Sequence, residues 1–190
     1  MRFYLDNTYY FITCATREHY TLFNTNEKKQ ILLNQINKVE KNLKIPVLSY
    51  GILANHYHIL FHLLEGKKLK KAMQTINGGS SYLLNQLTGI YRSVWDKYFA
   101  KIITTEQMFY KIIGYIAGNP LKHSEVNNFE ELKSYQFSNY YQLCYIYGEK
   151  TAKALVQSTI VVDEADNFKP DFSRLKEAQL TPDFSWLKEV

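Results

Sequence analysis

Only two of the 190 residues are cysteines, and Cys14 and Cys144 have no ligand-like spacing. No disulfide framework and no cysteine-built zinc module can be assembled from them. Long apolar runs are lacking too, so no membrane role is expected. No leader of the secretory kind is expected either, since Met1-Arg2-Phe3-Tyr4-Leu5-Asp6 passes almost at once into patterned sequence. These absences predict reduced thiols in a cytoplasmic protein.

What is present suits one domain with an appendage. The apolar fraction of 46% supports a real core, and 16 tyrosines lead an aromatic fraction of 15%. The net charge of +5 is uneven. Residues 151–190 hold five Lys/Arg against seven Asp/Glu, which leaves residues 1–150 at +7. Charge alone admits two readings equally, a body that binds a polyanion or a plain lysine-rich surface.

Along the chain, Tyr9-Tyr10-Phe11-Ile12-Thr13-Cys14-Ala15-Thr16 reads as a strand. Ile31, Leu32, Ile36, Val39 and Leu43 recur at helical spacing over residues 26–43, with Asn24, Thr25 and Asn26 as N-cap choices. A strand follows over 47–53, then the histidine-bearing run 55–63. The next helix starts at Lys67, Lys68, Lys70 and Lys71 and must loosen at Gly78-Gly79-Ser80-Ser81. Residues 94–103 read as a fourth strand. A third helix, capped by Thr104 or Thr105, runs to Asn119-Pro120, where proline predicts its end. The order implies an α+β sandwich: a ferredoxin-like antiparallel sheet with helices on one face, plus an extra tyrosine-bearing helix. The division expected is a domain over 1–147 and a C-terminal extension over 148–190. Within that extension Pro170-Asp171-Phe172-Ser173-Arg174-Leu175-Lys176-Glu177 returns twelve residues later as Pro182-Asp183-Phe184-Ser185-Trp186-Leu187-Lys188-Glu189. The repeat reads as two short turns packed on the domain, or as a docking tail.

Two segments could carry chemistry. In Asn55-His56-Tyr57-His58-Ile59-Leu60-Phe61-His62-Leu63 side chains alternate between faces, so Tyr57, Ile59, Phe61 and Leu63 share one and His56 and His58 the other. The two imidazoles could hold one metal ion, or could pair with backbone and acids. His62 lies about 13 Å beyond His58 at strand rise, too far to share an ion. In Gly114-Tyr115-Ile116-Ala117-Gly118-Asn119-Pro120, Tyr115 and Asn119 lie one helical turn apart. They could be a phenol and an amide in one site, or a core tyrosine and a helix cap.

Together these segments resemble the HUH single-tyrosine transposases: an N-H-x-H strand, a Gly/Ser helix near 77–81, an aromatic strand with Trp95 and Phe99, and Tyr-Ile-x-x-Asn-Pro. The likeness is closest to REP-associated tyrosine transposases, relatives of the insertion-sequence-200-like enzymes. Ser134-Tyr135-Gln136-Phe137-Ser138-Asn139-Tyr140-Tyr141 resembles that family's following Tyr-x-Trp-Ser-Ser-Tyr stretch, so the likeness spans about residues 8–145. The resemblance implies the HUH endonuclease fold, with His56, His58 and Asn119 holding Mg²⁺ or Mn²⁺ and Tyr115 as nucleophile. It implies site-specific cleavage and transfer of single-stranded or hairpin DNA through a 5′-phosphotyrosine link. A nucleoid-associated location and a monomer or homodimer go with that role. The alternative is a domesticated hairpin-binding protein of the same fold that no longer cuts. This chain departs from the family at Ala54, commonly proline, at Ala117, often polar, and at Tyr57, usually aliphatic. Lys67, Lys68, Lys70, Lys71, Gly78, Gly79, Ser80, Ser81, Arg92 and Lys122 are the residues that would suit a DNA backbone, with a solvated lysine face as the plain alternative.

Overall fold

The computed structural model describes residues 4–160. Strand β1 (Thr8–Ala15) leads through a short 3₁₀ turn to helix α1 (Asn26–Leu43), then to β2 (Val47–Ile52) and β3 (His56–Leu63). Helix α2 (Lys68–Met73) passes through a π-helical stretch, Gln74–Gly78, into α3 (Gly79–Thr88). Strand β4 (Phe99–Ile103) then precedes α4 (Glu106–Lys122), α5 (Phe129–Ser134), α6 (Tyr140–Tyr147) and α7 (Glu149–Gln157). The strands form one antiparallel sheet in the order β2-β3-β1-β4.

The period-two pattern of the strands divides the core. Ile12, Tyr57, Ile59, Phe61 and Leu63 point to one face, where Leu32, Ile36 and Val39 of α1 and Leu69, Met73, Ile76 and Leu84 of the α2–α3 unit cover them. Phe11 and Leu60 point to the other face, which α4 covers with Ile112, Ile113 and Ile116. The α+β expectation of helices on one face and an extra tyrosine-bearing helix is met, because α4 lies across the opposite face. Behind α4 stand α6 and α7, so α4 is buried from Phe109 to Pro120. A Cβ added at Gly114 would lie 2.6 Å from the Leu155 carbonyl oxygen, so this glycine is what admits α7 so closely. Helix α7 therefore shares one core with α4, although it begins after residue 147. The duplicated Pro-Asp-Phe-Ser segment lies outside the described residues.

Capping follows the expected chemistry. Thr25 and Thr105 have extended backbones, and their hydroxyls accept from Lys28 N–H at 3.3 Å and Met108 N–H at 3.2 Å. Three local expectations change. The fourth strand starts at Phe99 rather than Val94, because Trp95 turns inward: its ring stacks on Phe23 at 4.9 Å, and its Nε1 donates to Ser80 Oγ at 2.9 Å. Helix α4 does not stop at Asn119 but runs through Pro120 to Lys122. Proline in the last turn removes one N–H, the one that would reach the Ile116 carbonyl. That carbonyl instead lies against Gly51, where any Cβ would collide with it. Helices α5 and α6 are short and were not expected from the sequence, although Asn128 caps α5 by accepting from Glu131 N–H at 2.9 Å.

Candidate active site

Strand β3 sends His56 and His58 to the face that α4 crosses, and α4 brings Tyr115 and Asn119 down onto them. His56 Nε2 lies 3.2 Å from Asn119 Oδ1, and the His56 and His58 rings are 5.0 Å apart between centroids. The Tyr115 ring meets His58 edge-on at 5.1 Å and Phe11 at 6.1 Å. Phe11 also stacks on His58 at 5.6 Å. All four polar side chains are buried; Asn119 is 0% exposed. One face of one strand and one face of one helix thus supply two imidazoles, an amide and a phenol.

The outer nitrogens of both rings are held. His56 Nδ1 sits 2.7 Å from Asn55 Oδ1, and His58 Nδ1 sits 2.9 Å from Thr13 Oγ1. An imidazole whose Nδ1–H donates outward keeps its lone pair on Nε2, the form a metal ion takes. For His56 that lone pair faces the Asn119 amide oxygen, so two acceptors converge. The Asn119 Nδ2, meanwhile, is buried with no hydrogen-bond partner. Two converging acceptors are stabilised by a cation between them, and the orphaned Nδ2 is what remains when the oxygen faces the site. The donor set of two imidazoles and one amide oxygen would therefore fit a divalent ion.

Two further side chains reach this cluster. His123, just past the end of α4, meets His56 edge-on at 5.0 Å between ring centroids. Lys122 Nζ lies 5.3 Å from the centre of the Tyr115 ring, placing a cation one side of the phenol. His123 was not singled out from the sequence, since nothing local marks it. Thr13 was also missed. Its position opposite His58 in the β1–β3 register is what assigns it a role.

The remaining sequence candidates lie elsewhere. Lys67, Lys68, Lys70, Lys71, Gly78, Gly79, Ser80 and Ser81 belong to the α2–α3 unit, on the sheet face opposite Tyr115. Lys67 and Lys68 pair with Glu65 at 3.1 and 2.6 Å. Gly79 packs on the Gln35 side chain, whereas Gly78 is open to solvent. Ser80 is a correction: its hydroxyl is fully buried and donates to the Ile76 carbonyl at 2.6 Å, so it faces the core and not a phosphate. Arg92 lies with its guanidinium 5.8 Å from the Tyr20 ring. His62 is stacked on Tyr9 at 4.6 Å and paired with Asn7 Oδ1 at 3.0 Å, and burial lowers its pKa, so it stays neutral and structural. Burial pushes the Cys14 thiol up to about 11, which leaves it inert.

A family model described as "Transposase IS200 like" matches residues 4–119. Among solved structures, the fold is similar to that of a REP-associated tyrosine transposase bound to a REP hairpin, with a TM-score of 0.64 at 19% identity. That match covers 80% of this chain and 88% of the other. A candidate transposase from Deinococcus radiodurans R1 matches at a TM-score of 0.45 and 14% identity, over 61% of this chain and 93% of that one. No curated protein matches.

Proposed function

The chain belongs to the family of IS200-like transposases, and on that premise we propose that it cuts and rejoins single-stranded, hairpin-bearing DNA through a covalent tyrosine link. The observation that carries the reading is the pairing of β3 with α4: Asn119, one turn from Tyr115, reaches His56 at 3.2 Å, while Tyr115 packs on His58. A phenol, two imidazoles and an amide oxygen within one buried cluster are more than a packed core requires.

His56, His58 and Asn119 would hold Mg²⁺ or Mn²⁺. Such an ion supplies Lewis-acid polarisation of the scissile phosphate. The protein's own groups do the rest. Tyr115 Oη attacks phosphorus and the P–O3′ bond breaks, leaving a 5′-phosphotyrosine and a 3′-hydroxyl on the released strand. The phenolic proton leaves Tyr115 as the new O–P bond forms, and a proton is taken up at the departing 3′-oxygen. A free phenol has a pKa of about 10, so little of it is ionised at neutral pH. Lys122, beside the ring, favours the anionic form as it develops. Asn55 Oδ1 accepts from His56 Nδ1–H and so favours the required tautomer there, and Thr13 Oγ1 can accept from His58 Nδ1–H in the same way. Since the phosphodiester bond is exchanged and not hydrolysed, a second 3′-hydroxyl can reverse the step and join strands without ATP.

The test is adduct formation. Labelled hairpin-bearing single strands are incubated with protein and Mn²⁺ and resolved on a denaturing gel. The expected result is a shifted covalent band that disappears in Tyr115→Phe and in His56→Ala. Tight binding without any adduct, across a library of hairpins, would instead identify a binding protein of the same fold.

A further inference from the structure

Away from the catalytic cluster, an ion pair joins the buried Lys29 of α1 to the partly buried Glu125 in the turn after α4. The Lys29 side chain is only 6% exposed and that of Glu125 21%. Glu125 makes a second bond that its charge partner does not explain: its Oε1 accepts from the Ala54 backbone N–H at 2.9 Å. Ala54 lies two residues before His56, where the resembled family commonly has a proline, which has no N–H to give.

The other end of this connection is equally fixed. After Lys122 the chain leaves α4 through Ser124, whose φ of 57° is left-handed, and Glu125 N–H returns to the Pro120 carbonyl at 2.9 Å. Glu125 is thus tied to the last turn of α4, which carries Asn119. Its carboxylate is held from behind by Lys29, whose ammonium also donates to Tyr135 Oη at 2.8 Å. Burial, then the nearby Glu125 charge, raises the Tyr135 pKa, so that phenol stays neutral and can donate. Tyr135 Oη in turn reaches the Ile52 carbonyl at 3.3 Å, at the end of β2. Of these bonds, the one from Ala54 N–H joins the entry of β3 to the α4 exit directly, and those through Lys29 and Tyr135 brace the carboxylate against α1 and the end of β2.

We propose that Glu125 is a positioning residue that sets the separation of His56 and Asn119 by tying the end of the tyrosine helix to the start of the histidine strand. The inference rests on the metal-site reading above. A buried pair kept for stability alone is replaceable by apolar groups at little loss, because desolvation offsets most of the attraction. What an apolar pair cannot replace is the acceptor for Ala54 N–H.

Two charge-free variants of the full chain isolate that acceptor. Lys29→Met/Glu125→Gln keeps an oxygen for Ala54, and Lys29→Met/Glu125→Leu removes it; neither strands a charge. Without metal, His56 ring signals in ¹H–¹⁵N spectra are expected to match the unmodified protein in the Gln variant and to shift in the Leu variant. Mn²⁺ binding, read from free Mn²⁺ by electron paramagnetic resonance, is expected to weaken about tenfold in the Leu variant and stay within about twofold in the Gln variant. Equal His56 spectra and equal Mn²⁺ affinity in the two would overturn the proposal. If the Leu variant does not fold, amide exchange at Ala54 in the unmodified protein decides, since a fast-exchanging Ala54 N–H denies the bond. If the unmodified protein binds no Mn²⁺ at all, the metal reading fails while the His56 spectra still judge Glu125.

Discussion

At the scale of single residues, the candidate site is built by what stands behind its imidazoles, amide and phenol. Two imidazoles on one strand face are only a suggestion, because a histidine on a strand is satisfied as easily by a carbonyl as by an ion. The Nδ1 contacts to Asn55 and Thr13 change that, since an Nδ1–H given to either oxygen puts the ring in the tautomer that a cation takes on Nε2. Asn55 adjoins His56 in sequence and was visible in the N-H-x-H run. Thr13 was not, because it lies 45 residues away and meets His58 only through the β1–β3 register. Thr13→Val, nearly the same shape without the hydroxyl, is expected to fold normally and to weaken Mn²⁺ binding by about 10–100-fold. Calorimetric titration of Mn²⁺ into the variant checks it, and an unchanged affinity would remove Thr13 from the site.

At the scale of elements, the tyrosine helix is the piece that everything else fixes in place. Helical periodicity placed Tyr115 and Asn119 on one face of it, and Thr105 caps it as the sequence suggested. Its path is set by contacts that no local pattern reveals: Gly51 and Gly114 let β2 and α7 approach its backbone, and Ser138 Oγ donates to the Ala117 carbonyl at 2.8 Å. Ala117 lies between Tyr115 and Asn119, so that bond holds the working turn of the helix from behind. The size of a side chain at Gly114 tests this packing. Alanine would gain about 1 kcal/mol of helix propensity over glycine. Its Cβ, however, would meet the Leu155 backbone at 2.6 Å, and overpacking costs about 1–3 kcal/mol. The clash wins because a backbone carbonyl cannot swing aside as a side chain can. Gly114→Ala is therefore expected to lower Tm by a few degrees in a thermal melt, at about 2–4 °C per kcal/mol for a chain of this size. A raised Tm would mean that α7 yields freely.

At the scale of the whole molecule, the many tyrosines make folding sensitive to base. Tyr57, Tyr135, Tyr140 and Tyr147 all have pKa values raised first by burial, and Cys14 is raised from 9.0 to about 11. A group whose folded pKa exceeds its unfolded value holds its stability in full below the unfolded pKa and loses it as pH climbs toward the folded one. Urea midpoints are expected to fall from about pH 9, where Cys14 begins to ionise in the unfolded chain, and more steeply above about pH 10, where the tyrosines follow. Phenolate absorbance should rise for the buried tyrosines together with unfolding. Full ionisation of all 16 tyrosines in a protein that remains folded would contradict the burial described here.

The sequence by itself determined the strands and main helices, the sharing of one strand face by His56 and His58, and the sharing of one helix face by Tyr115 and Asn119. These follow from periods of two and 3.6 residues, which any local stretch expresses. Only the tertiary structure decided that the two faces meet, that Thr13, His123 and Glu125 gather around the meeting point, and that the α2–α3 lysines lie on the other side of the sheet. Such contacts depend on register and on helix crossing, which many side chains set together and which no single segment encodes.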